Sequence, residues 1–322
     1  QPNCCRDRTA TMSLTIVQII LSGLLLGAVY ALFSSGLTLI WGMMNVVNFA
    51  HGDFVMLAMY AAFVVWTALG GGPAAAMPIA AMLLATIGVI SYFLLVRHVM
   101  KGPMLAQILG TFGLALFLRY SAFWIFGSDF RTLPDNLLGP PLVFAGLRLD
   151  MPRLFAGFIG LVVTLGLHLI LTRTSLGAKM LAVSEDETAA QLMGIRPQQM
   201  QAVAWALAAG STGIAGALIA TFFYTSPTVG ETLGIVAFVT VSLGGFGSVP
   251  GALVAGLLIG VIESLSAYLI GPVYKDVIVY VLFVLVLWFR GGYRAWLSAQ
   301  RAAGHHLRHL GPLGTRPLLS GP

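Results

Sequence analysis

Residues 36–60 read GLTLIWGMMNVVNFAHGDFVMLAMY, and four side chains within them, Asn45, Asn48, His51 and Asp53, decide how the chain is read. Apolar residues continue on both sides of the four, with no turn-like polar surroundings. Polar and ionisable groups at membrane depth are costly, so they face a protein interior or a watery cavity. The question is whether the rest of the chain supplies a membrane bundle for them to face.

Composition answers it. The chain has 322 residues, 58% of them hydrophobic and 9% charged, with mean hydropathy +0.92. Soluble domains carry about 25% charged residues, so this is a polytopic membrane protein, an all-α bundle of transmembrane helices. A hydrocarbon core of about 30 Å takes roughly 20 apolar residues per helix. The 38 glycines suit helices whose backbones approach closely. The formal charge of +6 fits Lys and Arg in cytoplasmic loops and gives no reason to invoke nucleic acid. Cys4 and Cys5 are adjacent and support neither a disulfide framework nor a metal site.

Residues 1–13 read as an N-terminal tail outside the fold. The run 14–50 is too long for one straight span, and Ser34-Ser35-Gly36 marks a break, giving one full helix and one shorter one. Further spans are predicted at 54–69, 74–96, 104–126, 154–172, 201–224, 232–246, 250–270 and 276–289, within a transmembrane domain 14–290. Polar loops cover 127–153 and 173–200, and 291–322 is a basic tail. The Lys and Arg bias puts 97–103 and the tail in the cytoplasm, and counting crossings between them places 173–200 inside and 127–153 outside. If 14–34 and 36–50 both cross, there are ten crossings with both ends inside. If the first run crosses once, or 232–270 is partly re-entrant, there are eight or nine. Gly-spaced runs with a break at 27–42 and 234–251 suggest paired interrupted helices around a midplane pathway.

Three motifs carry the chemistry. Asn45, Asn48, His51 and Asp53 either line a substrate route or form a cytoplasmic turn in which Asp53 caps the next helix. His51 has no second His or Cys at ligand spacing, so no metal site is expected. The second motif is AVSEDETAAQLMGI, residues 182–195. Ser184, Glu185, Asp186 and Glu187 suit a helix start, and Ala189, Leu192, Met193 and Ile195 fall near one face before Gly194 and Pro197 end it. Such a helix docks in a partner's groove or lies on lipid; its acids favour the protein partner. The third motif is VSLGGFGSVPGALVAGLLIGVIESL, residues 241–265, a glycine-rich hairpin. Glu263 in it needs a partner if buried, and Arg119 is a candidate. Glu231 is placed at the outer membrane edge.

No phosphate-binding loop G-x-x-x-x-G-K-[ST] is present, and no H-E-x-x-H or G-x-S-x-G. No catalytic residues are assigned. An ion-coupled secondary transporter would need an acidic relay that the spans lack. A membrane enzyme would need His51 and Asp53 to act together, but residues i and i+2 point apart on a helix.

With these motifs quoted, the chain resembles the LivH-type permeases of bacterial branched-chain amino acid ABC transporters over roughly 16–290. The words that carry the resemblance are GLTLIWGMMNVVNFAHGDF, SEDETAAQLMGI and SLGGFGSVPGALVAGLLIGVIE. It implies a multi-pass subunit of the bacterial inner membrane. Its partners would be a LivM-like second permease, two cytoplasmic ATP-binding subunits and a periplasmic solute-binding protein. No cofactor is expected on this chain; ATP and Mg would be used by the partner subunits. Leucine, isoleucine and valine are the implied solutes, with urea or short amides carried by near relatives. Asn45, Asn48, His51, Asp53 and Glu263 are the candidate pathway residues. Ser184, Glu185, Asp186, Leu192 and Gly194 are the candidates for ATPase coupling. Leu181 stands where relatives often carry an arginine, so Lys179 or Arg196 would have to substitute.

Overall fold

The computed structural model describes residues 3–134, 138–144 and 147–288. The basic tail expected over 291–322 lies outside them. Among the described residues, seven helices are long and apolar enough to cross a membrane. In chain order the helices are α1 (Asn3–Met44), α2 (His51–Leu69), α3 (Pro73–Ser91), α4 (Arg97–Val99), α5 (Met104–Phe126), α6 (Met151–Arg173), α7 (Ser175–Glu185), α8 (Glu187–Leu192), α9 (Pro197–Ile219), α10 (Val229–Gly244) and α11 (Val249–Leu269). A π-helical turn, Tyr92–Val96, joins α3 to α4, and a last helical stretch covers 275–288. Within the 127–153 loop, Leu142–Phe144 and Leu147–Leu149 pair antiparallel as β1 and β2.

The expected break at Ser34-Ser35-Gly36 does not exist. From Leu14 to Met44 the helix is continuous over 31 residues, about 46 Å at 1.5 Å per residue. The Ser35 hydroxyl folds back onto the Ala31 carbonyl at 2.6 Å, which keeps it from competing for the backbone elsewhere. Gly36 is small because α9 crosses there: a Cβ would stand 2.8 Å from the Ala208 carbonyl oxygen. The small residues serve close approach, not interruption. The first run therefore crosses once, and the version with ten crossings and both ends inside does not hold.

The early Gly-spaced run also forms a seam. Gly23 and Gly27 of α1 face Gly256 and Gly260 of antiparallel α11; a Cβ on Gly27 would lie 2.5 Å from the Gly256 carbonyl oxygen, and one on Gly260 2.3 Å from that of Gly23. Without a hydrophobic drive between helices in lipid, such backbone proximity is what holds them together. α9 is the most buried span. It packs on α3 through Gly213 and Gly88, and Tyr92 donates to Gln201 Oε1 at 2.7 Å. Phe33, Met56, Met59, Leu218 and Val236 form the apolar centre between α1, α2, α9 and α10. Met82, Phe117 and Trp124 on α3 and α5 are exposed, as a lipid-facing surface requires.

The two ends of the bundle are distinct. Trp41 and Asn45 share a cavity wall with Thr172 and Ser184, which puts the α1 C-terminus beside α7. Thr15 and Gln18 share another with Arg153 and Lys275, which puts the Leu14 end beside the start of α6. Arg97, Lys101, Arg173, Lys179 and Arg196 belong to the first end, the one the charge rule expects in the cytoplasm.

Candidate functional site

Beyond Met44 the chain turns back into the bundle before the next helix begins. Asn45 has φ 53°, a left-handed conformation that Asn tolerates through its short polar side chain. The non-helical segment 45–50 is secured at each step. Thr111 Oγ1 donates to the Val47 carbonyl at 2.9 Å, and the Ala50 N–H donates to Asn48 Oδ1 at 3.1 Å. His51 Nε2 donates to the Phe33 carbonyl at 2.7 Å, because a carbonyl can only accept. Phe33 lies eleven residues before the end of α1, about 17 Å into the bundle. So α2 starts at depth, and the cytoplasmic-turn reading of NFAHGDF is replaced.

Asp53 does not cap α2, whose N-cap is Ala50 without a side-chain bond. Its carboxylate instead takes Arg119 of α5 in a two-pronged pair, Nε to Oδ1 at 3.1 Å and Nη2 to Oδ2 at 3.4 Å. Arg119 Nη1 also reaches Glu231 Oε2 at 3.2 Å, on the first turn of α10. Glu231, whose side chain is 64% exposed, is thus a second acid at the edge of the buried Asp53–Arg119 pair. The N-terminal turns of α2 and α10 touch backbone to backbone: a Cβ on Gly52 would stand 2.0 Å from the Gly230 carbonyl oxygen and 2.5 Å from the Gly234 nitrogen. Two carboxylates facing one guanidinium leave a net negative charge. Two converging helix N-termini, each worth roughly half a positive charge, offset it.

The expected pathway residues are therefore not one site. Asn48, His51 and Asp53 are buried together. Asn45 borders a cavity of about 640 Å³ between α1, α7 and the α10–α11 turn. Glu263 lies toward the other end, and Arg119 is not its partner. Its Oε2 accepts from the Tyr30 hydroxyl at 2.8 Å and its Oε1 pairs with Lys275. Sequence reasoning missed Tyr30, Lys275 and Arg153. The signal that could have found Lys275 was its position in an apolar stretch twelve residues from an unpaired acid. Among the described residues, no three of His, Cys, Asp and Glu cluster as metal ligands.

At the Met44 end of α1 the charged segment is two helices, not one. Thr174 starts α7 by accepting from the Gly177 N–H at 3.3 Å. Asp186 then breaks the helix with φ −151° and caps α8, its Oδ1 accepting from the Thr188 and Ala189 N–H groups at 2.9 and 3.0 Å. Gly194, at φ 79°, closes the turn. The expected single apolar face is split. Ile195 packs inward against a cluster containing Met180, Val183 and Ala190, whereas Leu192 and Met193 are 85% and 82% exposed. Ser184 bonds the Leu181 carbonyl at 2.7 Å, and Glu185 and Asp186 are exposed beside the tip. The result is a short helical element with acids at its start and two large exposed apolar side chains at its end.

A family model described as "Branched-chain amino acid transport system / permease component" matches residues 19–287. The high-affinity branched-chain amino acid transport system permease protein BraD of Pseudomonas aeruginosa is 31% identical over 288 residues, which are 85% of this chain and 94% of that protein. The corresponding permease protein LivH of Escherichia coli is 28% identical over 292 residues, 85% of this chain and 93% of that protein. The autoinducer 2 import system permease protein LsrC of Salmonella paratyphi B is 26% identical over 249 residues, 73% of this chain and 69% of that protein.

Proposed function

This chain belongs to the branched-chain amino acid transport system permease family, and from that premise we propose that it lines the passage for leucine, isoleucine and valine in an ATP-driven importer. The observation that carries the reading is the family match, which runs through nearly every described span. ATP and Mg belong to two partner subunits, a LivM-like permease completes the passage, and a solute-binding protein delivers the solute on the 127–153 side.

The geometry supports a division of labour. The α7–α8 element, with Leu192 and Met193 exposed, is the docking knob for an ATPase groove. It abuts the cavity of about 640 Å³ through Gly177, Met180 and Ser184, so a push on α7 changes that cavity's walls. A conformational equilibrium shifts only by the differential affinity of what binds the two states; ATPase closure supplies that difference and the permease needs no tight site. The LsrC relative is named for a different solute, so the fold alone does not choose the cargo, and urea or short amides stay as the runner-up.

The test is reconstitution of the chain with its partner subunits in proteoliposomes holding ATP inside. Uptake of labelled leucine that requires ATP, the ATPases and the binding protein is expected. Brisk leucine accumulation by this chain alone on an ion gradient would make it a secondary transporter and end the reading.

A further inference from the structure

At the end of the bundle opposite α7 and α8, a cavity of about 520 Å³ lies between the Leu14 half of α1, α11 and the link to 275–288. That is within the roughly 300–1,000 Å³ usual for ligand sites. One wall is Glu263, whose carboxylate is 4% exposed and held by Lys275 and by the Tyr30 hydroxyl at 2.8 Å. Lys275 also stands 5.9 Å above the Phe223 ring. It follows a link containing Gly271 at φ 119°, outside any hydrogen-bonded helix interior. Arg153 borders the same space, and its ion pair to Asp150 is long, 3.8 Å. Arg153 and Phe222 line a second cavity as well, of about 400 Å³, at the 127–153 loop. Arg153 and Phe222 therefore stand between the two spaces, on the side of the 127–153 loop.

One carboxylate, two cations and an apolar aromatic floor complement a small molecule bearing an ammonium, a carboxylate and an aliphatic group. We propose that this cavity is a low-affinity site for a free α-amino acid zwitterion, a proposal that rests on the permease reading. The α-ammonium takes the place of Lys275 at Glu263, the released Lys275 and Arg153 take the α-carboxylate, and the aliphatic side chain lies on Phe222 and Phe223. The exchange leaves no buried charge without a partner, which is the condition for a buried ion pair to be opened cheaply. Because the Lys275–Glu263 pair must open before the ligand's charges are taken up, affinity is modest and release is easy, as a passage requires. A phospholipid headgroup with an ammonium and a phosphate presents the same charges, and the test separates the two sources.

The permease, assembled with its partner subunits but without the binding protein, is placed in phosphatidylglycerol nanodiscs and titrated with tritiated L-leucine. Saturable binding is expected, displaced by unlabelled leucine but not by leucinol or 4-methylpentanoate, which lack one charge each. Glu263→Gln and Arg153→Gln should each weaken it about ten- to a hundredfold, the worth of one charged hydrogen bond, and Arg153→Lys should restore it. Parental binding that both variants leave unchanged overturns the proposal, as does absence of saturable binding. So does a phosphatidylethanolamine molecule that native mass spectrometry finds retained by the parent and lost from both variants, without leucine binding. If ATP-driven leucine uptake persists in those cases, the permease reading survives; a complex with no leucine uptake removes both.

Discussion

Replacing Arg119 by Met tests the cluster that joins α2, α5 and α10. The Asp53 side chain is 2% exposed and that of Arg119 18%, so water cannot replace the lost partner. Removing one member of a buried pair costs about 3–5 kcal/mol because the other charge is left uncompensated. One feature pushes Arg119→Met toward the upper end: the Glu231 carboxylate stays close to Asp53 with no cation between them. The convergent N-termini of α2 and α10 give back about 0.3–1 kcal/mol each, which is not enough. Since 1.4 kcal/mol is a factor of ten, the folded fraction at a fixed denaturing condition should fall about a hundredfold or more. Adding Asp53→Asn removes the orphan charge and leaves a neutral amide whose burial costs about 1–3 kcal/mol. The double variant should therefore be more stable than Arg119→Met alone. The assay is reversible SDS unfolding in mixed micelles, read by tryptophan fluorescence, for the parent, both singles and the double. Arg119→Met within about 0.5 kcal/mol of the parent, or a double variant no better than it, refutes the argument.

Gly52→Ala should separate α2 from α10, because its new methyl meets the Gly230 carbonyl and the Gly234 nitrogen, which are backbone and cannot swing away; a cost of about 1–3 kcal/mol is expected in the same unfolding assay. Gly256→Val should loosen the α1–α11 seam, where even a Cβ would lie 2.7 Å from the Ala31 nitrogen, and would be read as a lower melting temperature of the detergent-solubilised protein. Asp186→Ala should lose the α8 cap, about 1 kcal/mol, and with it ATPase co-purification, whereas Asp186→Asn keeps an acceptor for Thr188 and Ala189 and should retain both; equal loss in the two would make the charge itself the contact. Leu192→Ser with Met193→Ser should abolish ATPase co-purification while leaving stability within about 0.5 kcal/mol, since both side chains already face outward.

Much of this was legible in the chain alone. A charge-poor, glycine-rich sequence with apolar runs of about 20 residues has to be a helix bundle in lipid, because backbone groups have no other partners there. The embedded Asn, His and Asp residues marked where the bundle would be irregular, and the charged segment 173–200 marked the elbow formed by α7 and α8. Ser34-Ser35-Gly36 misled because small residues mean either a break or a close crossing, and only the presence of α9 at Ala208 distinguishes them. Charge pairing was beyond reach for a similar reason. Arg119 could satisfy either Asp53 or Glu263, and sequence distance does not rank them. Helix packing ranks them, by bringing the N-termini of α2 and α10 to the outer part of α5 and leaving Glu263 with Tyr30 and Lys275. Local chemistry fixes which groups must find partners; the crossing of distant helices chooses the partners.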